Sequence, residues 1–307
     1  MYVQASQNFP GIIVDLENER LSFNMARFEE ELEEYFEKRD YPETFALSQE
    51  YSVVYHQFLA QNLQSYPAIR GQIIGPVSFG FKVLDESLKP IIYNEEVRAI
   101  LFDFIQKKVN LQYQELKQRN PKAFVWVDEP GLGYVFSALS GYNDRQAKED
   151  YWNFLQGLEG PKGLHLCANV DLPYLLGLGV EILSFDAYQI EFMPREYADA
   201  VAEFLRSGGI ISWGIVPTDS SVLAKETPET LAKLLTAYWG VVSGNSGLSL
   251  KQIAKQALVA PARCCLRDEG QVSEVGERQA SSEERIVEKA FAFLQELSQR
   301  LRDKFRL

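Results

Sequence analysis

From about residue 70 onward, short apolar runs alternate with longer stretches whose apolar residues recur every three or four positions. The runs lie at 72–74, 123–127, 164–167, 181–185, 210–214 and 257–259. Helical patterns fill the intervals, near 94–119, 146–158, 171–178, 194–207 and 226–241, and a last one lies near 282–304. Strand–helix alternation of this kind predicts a parallel sheet with helices packed on it. Before residue 65 the pattern differs. Two short apolar runs around Ile12-Ile13-Val14 and Leu21-Ser22-Phe23 predict a hairpin, and two helices are expected near 25–38 and 44–64. In the first of these, Phe28, Leu32, Tyr35 and Phe36 lie close to one face, leaving Glu29, Glu30, Glu31, Glu33 and Glu34 for a solvated one.

Polar residues gather just after several of the six strands: Pro76 and Ser78, Asp128 and Glu129, His165 and Cys167, Asp186, Thr218 and Asp219, and Cys264. In a (β/α) barrel such positions face one mouth, where active sites form. The pattern therefore favours an α/β TIM-type barrel, incomplete at its N-terminal side because six strands are recognised instead of eight. Residues 1–307 are read as a single barrel domain. Within it, 1–64 form an N-terminal hairpin and helical capping segment, and 65–307 form the strand–helix units. A nucleotide-binding fold has no support, since no GxGxxG follows the first strand and no phosphate loop is present.

Composition narrows the function. The chain has 307 residues, 46% hydrophobic, with a formal net charge of −12. That length can bury a large core, and that charge repels nucleic acid and anionic membranes. No apolar stretch reaches the roughly 20 residues that span a bilayer, and the start of the chain has no signal-peptide pattern. Three cysteines, Cys167, Cys264 and Cys265, are too few for a disulfide scaffold and fit a reducing cytosol, so a cytoplasmic location is expected.

Candidate chemistry centres on His165-Leu166-Cys167. Side chains alternate along a strand, so His165 and Cys167 point the same way, and two such ligands suit zinc. A buried cysteine beside a hydrogen-bonded histidine is the plainer alternative. The only other histidine, His56, falls in a helical pattern and reads as a helix-face residue. Cys264 or Cys265, at the end of the last run, would reach the same mouth in a barrel. Asp186 ends the strand after His165 and Cys167. It is a candidate fourth ligand, a group that orients His165, or a structural carboxylate. Asp128 and Glu129 are adjacent, so they point to different sides; one of them can face the mouth and hold a substrate ammonium group, the plainer alternative being a strand-end cap or an ion pair. Gly75-Pro76-Val77-Ser78 reads as a tight turn that lets backbone approach a ligand.

The order GPVS, VDEP, HLC, SFDA and a late cysteine resembles the C-terminal catalytic barrel of cobalamin-independent methionine synthase. That group also includes uroporphyrinogen decarboxylase and corrinoid-dependent methyltransferases. The resemblance covers most of residues 70–307 and rests chiefly on the HxC and the late cysteine. It implies a zinc ion held by His165, Cys167 and Cys264, with Cys264 preferred to Cys265. Asp186 stands where the family usually has glutamate, as a further metal ligand or catalytic residue. Asp128 would bind the substrate's amino group, with Glu129 and Ser78 assisting.

The implied activity is zinc-dependent transfer of a methyl group to a thiol, homocysteine giving methionine, as in methionine biosynthesis. The donor would be a methylcorrinoid, free or on a corrinoid protein, or a methyl-folate. Alternatives are a metal-free decarboxylase of the uroporphyrinogen type, or a truncated non-catalytic relative. The chain is shorter than the two-barrel enzyme and resembles its single-barrel relatives. It lacks the family's Ile-Gly-Ser segment that contacts the amino-acid carboxylate. An exposed apolar seam is expected near Ile73 and Leu258, where the first two strands would stand.

Overall fold

In a computed structural model, residues 1–18, 20–135, 142, 144–168, 171–263 and 280–307 are described. The chain divides into two compact units, Met1–His165 and Leu166–Leu307.

The first unit opens with helix α1 (Tyr2–Ser6) and the hairpin of β1 (Ile12–Asp15) and β2 (Arg20–Phe23), paired antiparallel. Asp15 closes the hairpin by accepting from the backbone and side chain of Asn18, the local bonding that makes Asp and Asn turn formers. Helix α2 (Met25–Lys38) starts at Asn24, whose side chain caps the Arg27 N–H. The helix expected over 44–64 is shorter. A 3₁₀ turn at Pro42–Thr44 precedes α3 (Val53–Leu59). Between them Ser48 uses its own hydroxyl to accept the Tyr51 N–H, a local bond that competes with helix. His56 lies on α3, and its Nε2 meets the Leu47 carbonyl at 2.6 Å, in keeping with a helix-face role.

Strand β3 (Ile69–Ile74) leads into α4 (Pro76–Lys82) and α5 (Glu95–Arg119). The expected turn at 75–78 is in fact the first turn of α4. Pro76 occupies the start of that helix, where its missing N–H is not needed. Then follow β4 (Ala123–Asp128), α6 (Leu132–Val135), α7 (Asp144–Gln156) and β5 (Lys162–Leu166), whose last residue begins the second unit. Strands β3, β4 and β5 pair in parallel.

An aromatic core joins the early segment to the first strand–helix units. Phe9 lies 5.1 Å from Phe104 on α5 and 6.1 Å from Phe79 on α4, and Phe45 lies 5.5 Å from Phe104. Ile73 is buried, contrary to the expected open seam. Next to β3, the Tyr2 ring of α1 lies tilted against Phe79 with centroids 6.3 Å apart, and the Gln72 side chain reaches the Met1 sulfur.

The second unit contains α8 (Leu172–Leu176), β6 (Ile182–Phe185), α9 (Arg195–Arg206), β7 (Ile210–Val216), α10 (Ser220–Leu223), α11 (Pro228–Ser246), α12 (Leu250–Lys255), β8 (Ala257–Pro261) and α13 (Ala280–Phe305). Strands β6, β7 and β8 pair in parallel. Trp213 on β7 anchors the core, 5.4 Å from Phe185 and 6.3 Å from Trp239 on α11. Leu258 on β8 is exposed. Strands β3 to β8 are hydrogen-bonded in sequence order as one six-stranded sheet. The fold is thus mixed α/β with a six-stranded parallel sheet flanked by helices. No described helix is long and apolar enough to cross a membrane.

Lys108 is a liability inside the first unit. It is 1% exposed, among the described residues its Nζ donates only to the Phe45 carbonyl at 3.4 Å, and it sits 4.9 Å from the Phe104 ring. Burial pushes its ammonium down from 10.5 to about 7. Between those values the unfolded chain binds a proton that the folded chain does not, so stability rises with pH across that window. Lys108→Met is expected to be more stable than the parent by about 3 kcal/mol at pH 6, a gap that shrinks toward pH 10. Urea unfolding of both proteins at the two pH values isolates Lys108 from every other titrating group. An unchanged gap would contradict this account.

Candidate functional site

The parallel register of β4 and β5 builds the centre of the site. Asp128 pairs with His165 across the two strands, and the Glu129 N–H extends the ladder to the His165 carbonyl at 2.8 Å. Paired residues on neighbouring strands share a face, so Asp128 and His165 project together. Cys167, two residues beyond His165, follows the same side. One ligand atom each from Asp128, His165 and Cys167 lie within 4.8 Å of one another.

Asp128 is 1% exposed. Its Oδ2 accepts from Gln72 Nε2 at 3.3 Å, and its Oδ1 faces His165 Nε2 at 3.9 Å without making a hydrogen bond. Burial raises its pKa, opposed by His165, Gln72 and Arg70. A buried carboxylate oxygen left without a hydrogen bond is costly unless a cation or a donor joins it.

The set suits zinc. An imidazole, a thiolate and a carboxylate are its usual ligands, with bonds of about 2.0–2.3 Å. Tetrahedral ligands around such an ion stand about 3–4 Å apart, so a small contraction of the present spacing encloses it.

Glu129 points the other way, as adjacent strand-end residues must. It is wholly buried, and its carboxylate accepts the Val77 N–H (3.1 Å), the Ser78 N–H (2.8 Å) and the Ser78 hydroxyl (2.5 Å). Ser78 Oγ in turn accepts the Gly131 N–H at 2.8 Å. Burial pushes the Glu129 carboxyl up to about 8, against the pull of these donors. A Cβ at Gly75 would fall 2.2 Å from the Glu129 carboxyl, so only glycine fits that helix cap. Ser78 and Glu129 are therefore brought to each other, where they tie α4 to the end of β4.

Asp186, at the end of β6, is likewise committed. Its Oδ2 accepts from Arg263 Nε at 2.9 Å and its Oδ1 from the Gln189 N–H at 3.2 Å. It does not belong to the three-residue group of possible metal ligands among the described residues. The Gln189 side chain donates to the Ala168 and Asp186 carbonyls at 3.1 Å each, linking the segments that follow β5 and β6. Arg263 also feels the charge of Cys167. Cys264 and Cys265 lie outside the described residues. Asp219 is a helix cap: its carboxylate accepts the Ser221 and Val222 N–H groups of α10.

Sequence reasoning overlooked Gln72 and Arg263. The first was marked only by being polar within the apolar run 72–74, and the second by standing directly before Cys264-Cys265. No family model and no curated protein matches the chain.

Proposed function

We propose that this chain is a zinc-dependent methyltransferase acting on a thiol amino acid, homocysteine giving methionine, on an incomplete (β/α) barrel. The convergence of Asp128, His165 and Cys167 carries the reading. His165 and Cys167 would hold the ion, with Cys264 as the next protein ligand, and Asp128, although within ligand distance of both, would be left to the substrate. Asp186 would complete the set only by leaving Arg263. When bound, zinc keeps a thiol ionised near neutral pH, where a free thiol of pKa near 8.5 is mostly protonated.

The chain's own residues then do the positioning. Asp128 Oδ1, with Oδ2 held by Gln72, takes the substrate ammonium. Burial of Asp128 strengthens that ion pair. Glu129 and Ser78 fix the end of β4 that carries Asp128. The thiolate sulfur attacks the donor's methyl carbon, and the bond from that carbon to a methylcorrinoid or methyl-folate breaks with its electrons staying on the donor. The thiol proton has already left to solvent.

Metal analysis and calorimetry test this. The purified protein should contain one zinc per chain, and homocysteine binding should release a proton. Asp128→Asn should keep the zinc while weakening homocysteine by about tenfold or more, as expected for a lost charged hydrogen bond. Zinc-free protein that cannot be loaded would sink the proposal.

A second reading draws on the Asp186–Arg263 pair. A metal-free decarboxylase of the uroporphyrinogen type would use such an arginine and aspartate toward an acidic substrate. It requires a porphyrinogen polyacid to bind with full strength after chelation of all metal.

A further inference from the structure

We infer that Arg263 is the residue that recognises an anionic group on the ligand, the α-carboxylate of the thiol amino acid. The inference rests on the methyltransferase reading and names what that reading leaves open, the grip on the carboxylate.

The geometry is that of a prepared anion site. Asp186 is a buried anchor, with its side chain 3% exposed, while the Arg263 side chain is 58% exposed. The pair meets through Nε, at 2.9 Å from Asp186 Oδ2. The two terminal nitrogens make no hydrogen bond to another described residue. Guanidinium N–H groups form a planar fork that matches a carboxylate in two parallel bonds. Holding the fork by its Nε fixes its plane before a ligand arrives, which lowers the ordering cost of binding. Asp186 is itself fixed by the Gln189 N–H and so does not swing with the arginine. Gln189, which holds Asp186 through its N–H, also donates to the Ala168 carbonyl, so the segment carrying the Asp186–Arg263 pair is tied to the residue next to Cys167.

The arrangement also accounts for Asp186 at the end of β6. Its two oxygens are engaged by Gln189 and Arg263, and its use is to aim a cation instead of coordinating one. The carboxylate of a thiol ligand would then have Arg263 as its own partner, separate from the group that holds the thiol.

The test compares L-homocysteine with 3-aminopropane-1-thiol, which keeps the thiol and the ammonium and lacks the carboxylate. Calorimetry on the zinc-loaded protein should show homocysteine binding roughly 10- to 100-fold more tightly, the range of charge-assisted hydrogen bonds. In Arg263→Gln the two thiols should bind alike, at the parent's affinity for the aminothiol and with zinc content unchanged. Arg263→Lys should keep part of the preference, and Asp186→Asn should also reduce it, because the fork loses its anchor. A preference for homocysteine that survives intact in Arg263→Gln overturns the assignment and leaves the methyltransferase reading standing. Loss of zinc or of aminothiol binding in that variant also overturns it, since Arg263 would then be serving the metal site. If neither thiol binds the zinc-loaded parent, the methyltransferase reading fails and the assignment fails with it.

Discussion

Cys167→Ser and His165→Ala should each reduce zinc affinity by more than 100-fold, the largest change expected from any single substitution in this chain. Loss of a group that merely supports a ligand costs 10- to 100-fold in metal affinity, and removal of the ligand itself exceeds that. Serine keeps the size of cysteine but offers a hydroxyl that stays protonated near neutral pH, so it supplies neither the charge nor the soft donor that zinc favours. His165→Ala removes the other member of the strand pair and leaves Asp128 Oδ1 facing an empty space instead of an imidazole at 3.9 Å. Competition with a chromophoric chelator measures both variants. Gln72→Ala is the control: it should keep the metal and lower homocysteine affinity, because Gln72 orients the far oxygen of Asp128. Unchanged zinc affinity in Cys167→Ser would remove the metal centre from the Asp128, His165 and Cys167 group.

Glu129→Ala should destabilise the fold by about 3–5 kcal/mol, the largest expected effect on stability. Three donors converge on that carboxylate, two backbone N–H groups and one hydroxyl. Each buried donor left without an acceptor costs about 1–3 kcal/mol, and the sum is less than additive because water can enter the vacated space. Ser78→Ala should cost less, about 1–2 kcal/mol, since it orphans the Gly131 N–H and leaves Glu129 with two of its three donors. Because these two residues share a bond, the double variant should be less destabilised than the sum of the singles. Chemical unfolding of the four proteins gives the coupling directly. A Glu129→Ala protein within 1 kcal/mol of the parent would mean that the clamp between α4 and β4 carries no weight.

The clamp also bears on how the site is held. Glu129 immediately follows Asp128, and its bonds to the first turn of α4 fix the backbone at the end of β4. In the proposed reaction Asp128 touches the substrate and Glu129 acts through it. Loss of Glu129 should therefore raise KM for homocysteine before it changes zinc content, a split that distinguishes a positioning role from ligation.

The sequence by itself determined the strands and which of the polar residues at their ends share a side. The apolar runs of β3 to β8 are rich in Val, Ile, Leu and Phe, and their helical intervals carry a different period, so the strand–helix order was legible. The alternation of side chains on a strand was enough to put His165 and Cys167 on one side. Adjacency was enough to send Asp128 and Glu129 apart, though not to say which went where. That choice is set by the register of β4 against β5, which pairs Asp128 with His165 and turns Glu129 toward α4. Register is a property of two strands at once and leaves no mark on either alone.

The remaining features depend on chain segments far apart in sequence. Asp186 reads as a possible ligand until Arg263, 77 residues later, takes its Oδ2. Ile73 reads as part of an open seam until the core around it is assembled, with α1 placed near β3. The turn read at 75–78 becomes a helix start because Glu129 supplies the acceptor for its first N–H groups. In each case local propensity and periodicity act within a few residues. A buried carboxylate takes its role from whichever donor the tertiary structure brings within about 3 Å, and only the folded chain makes that choice.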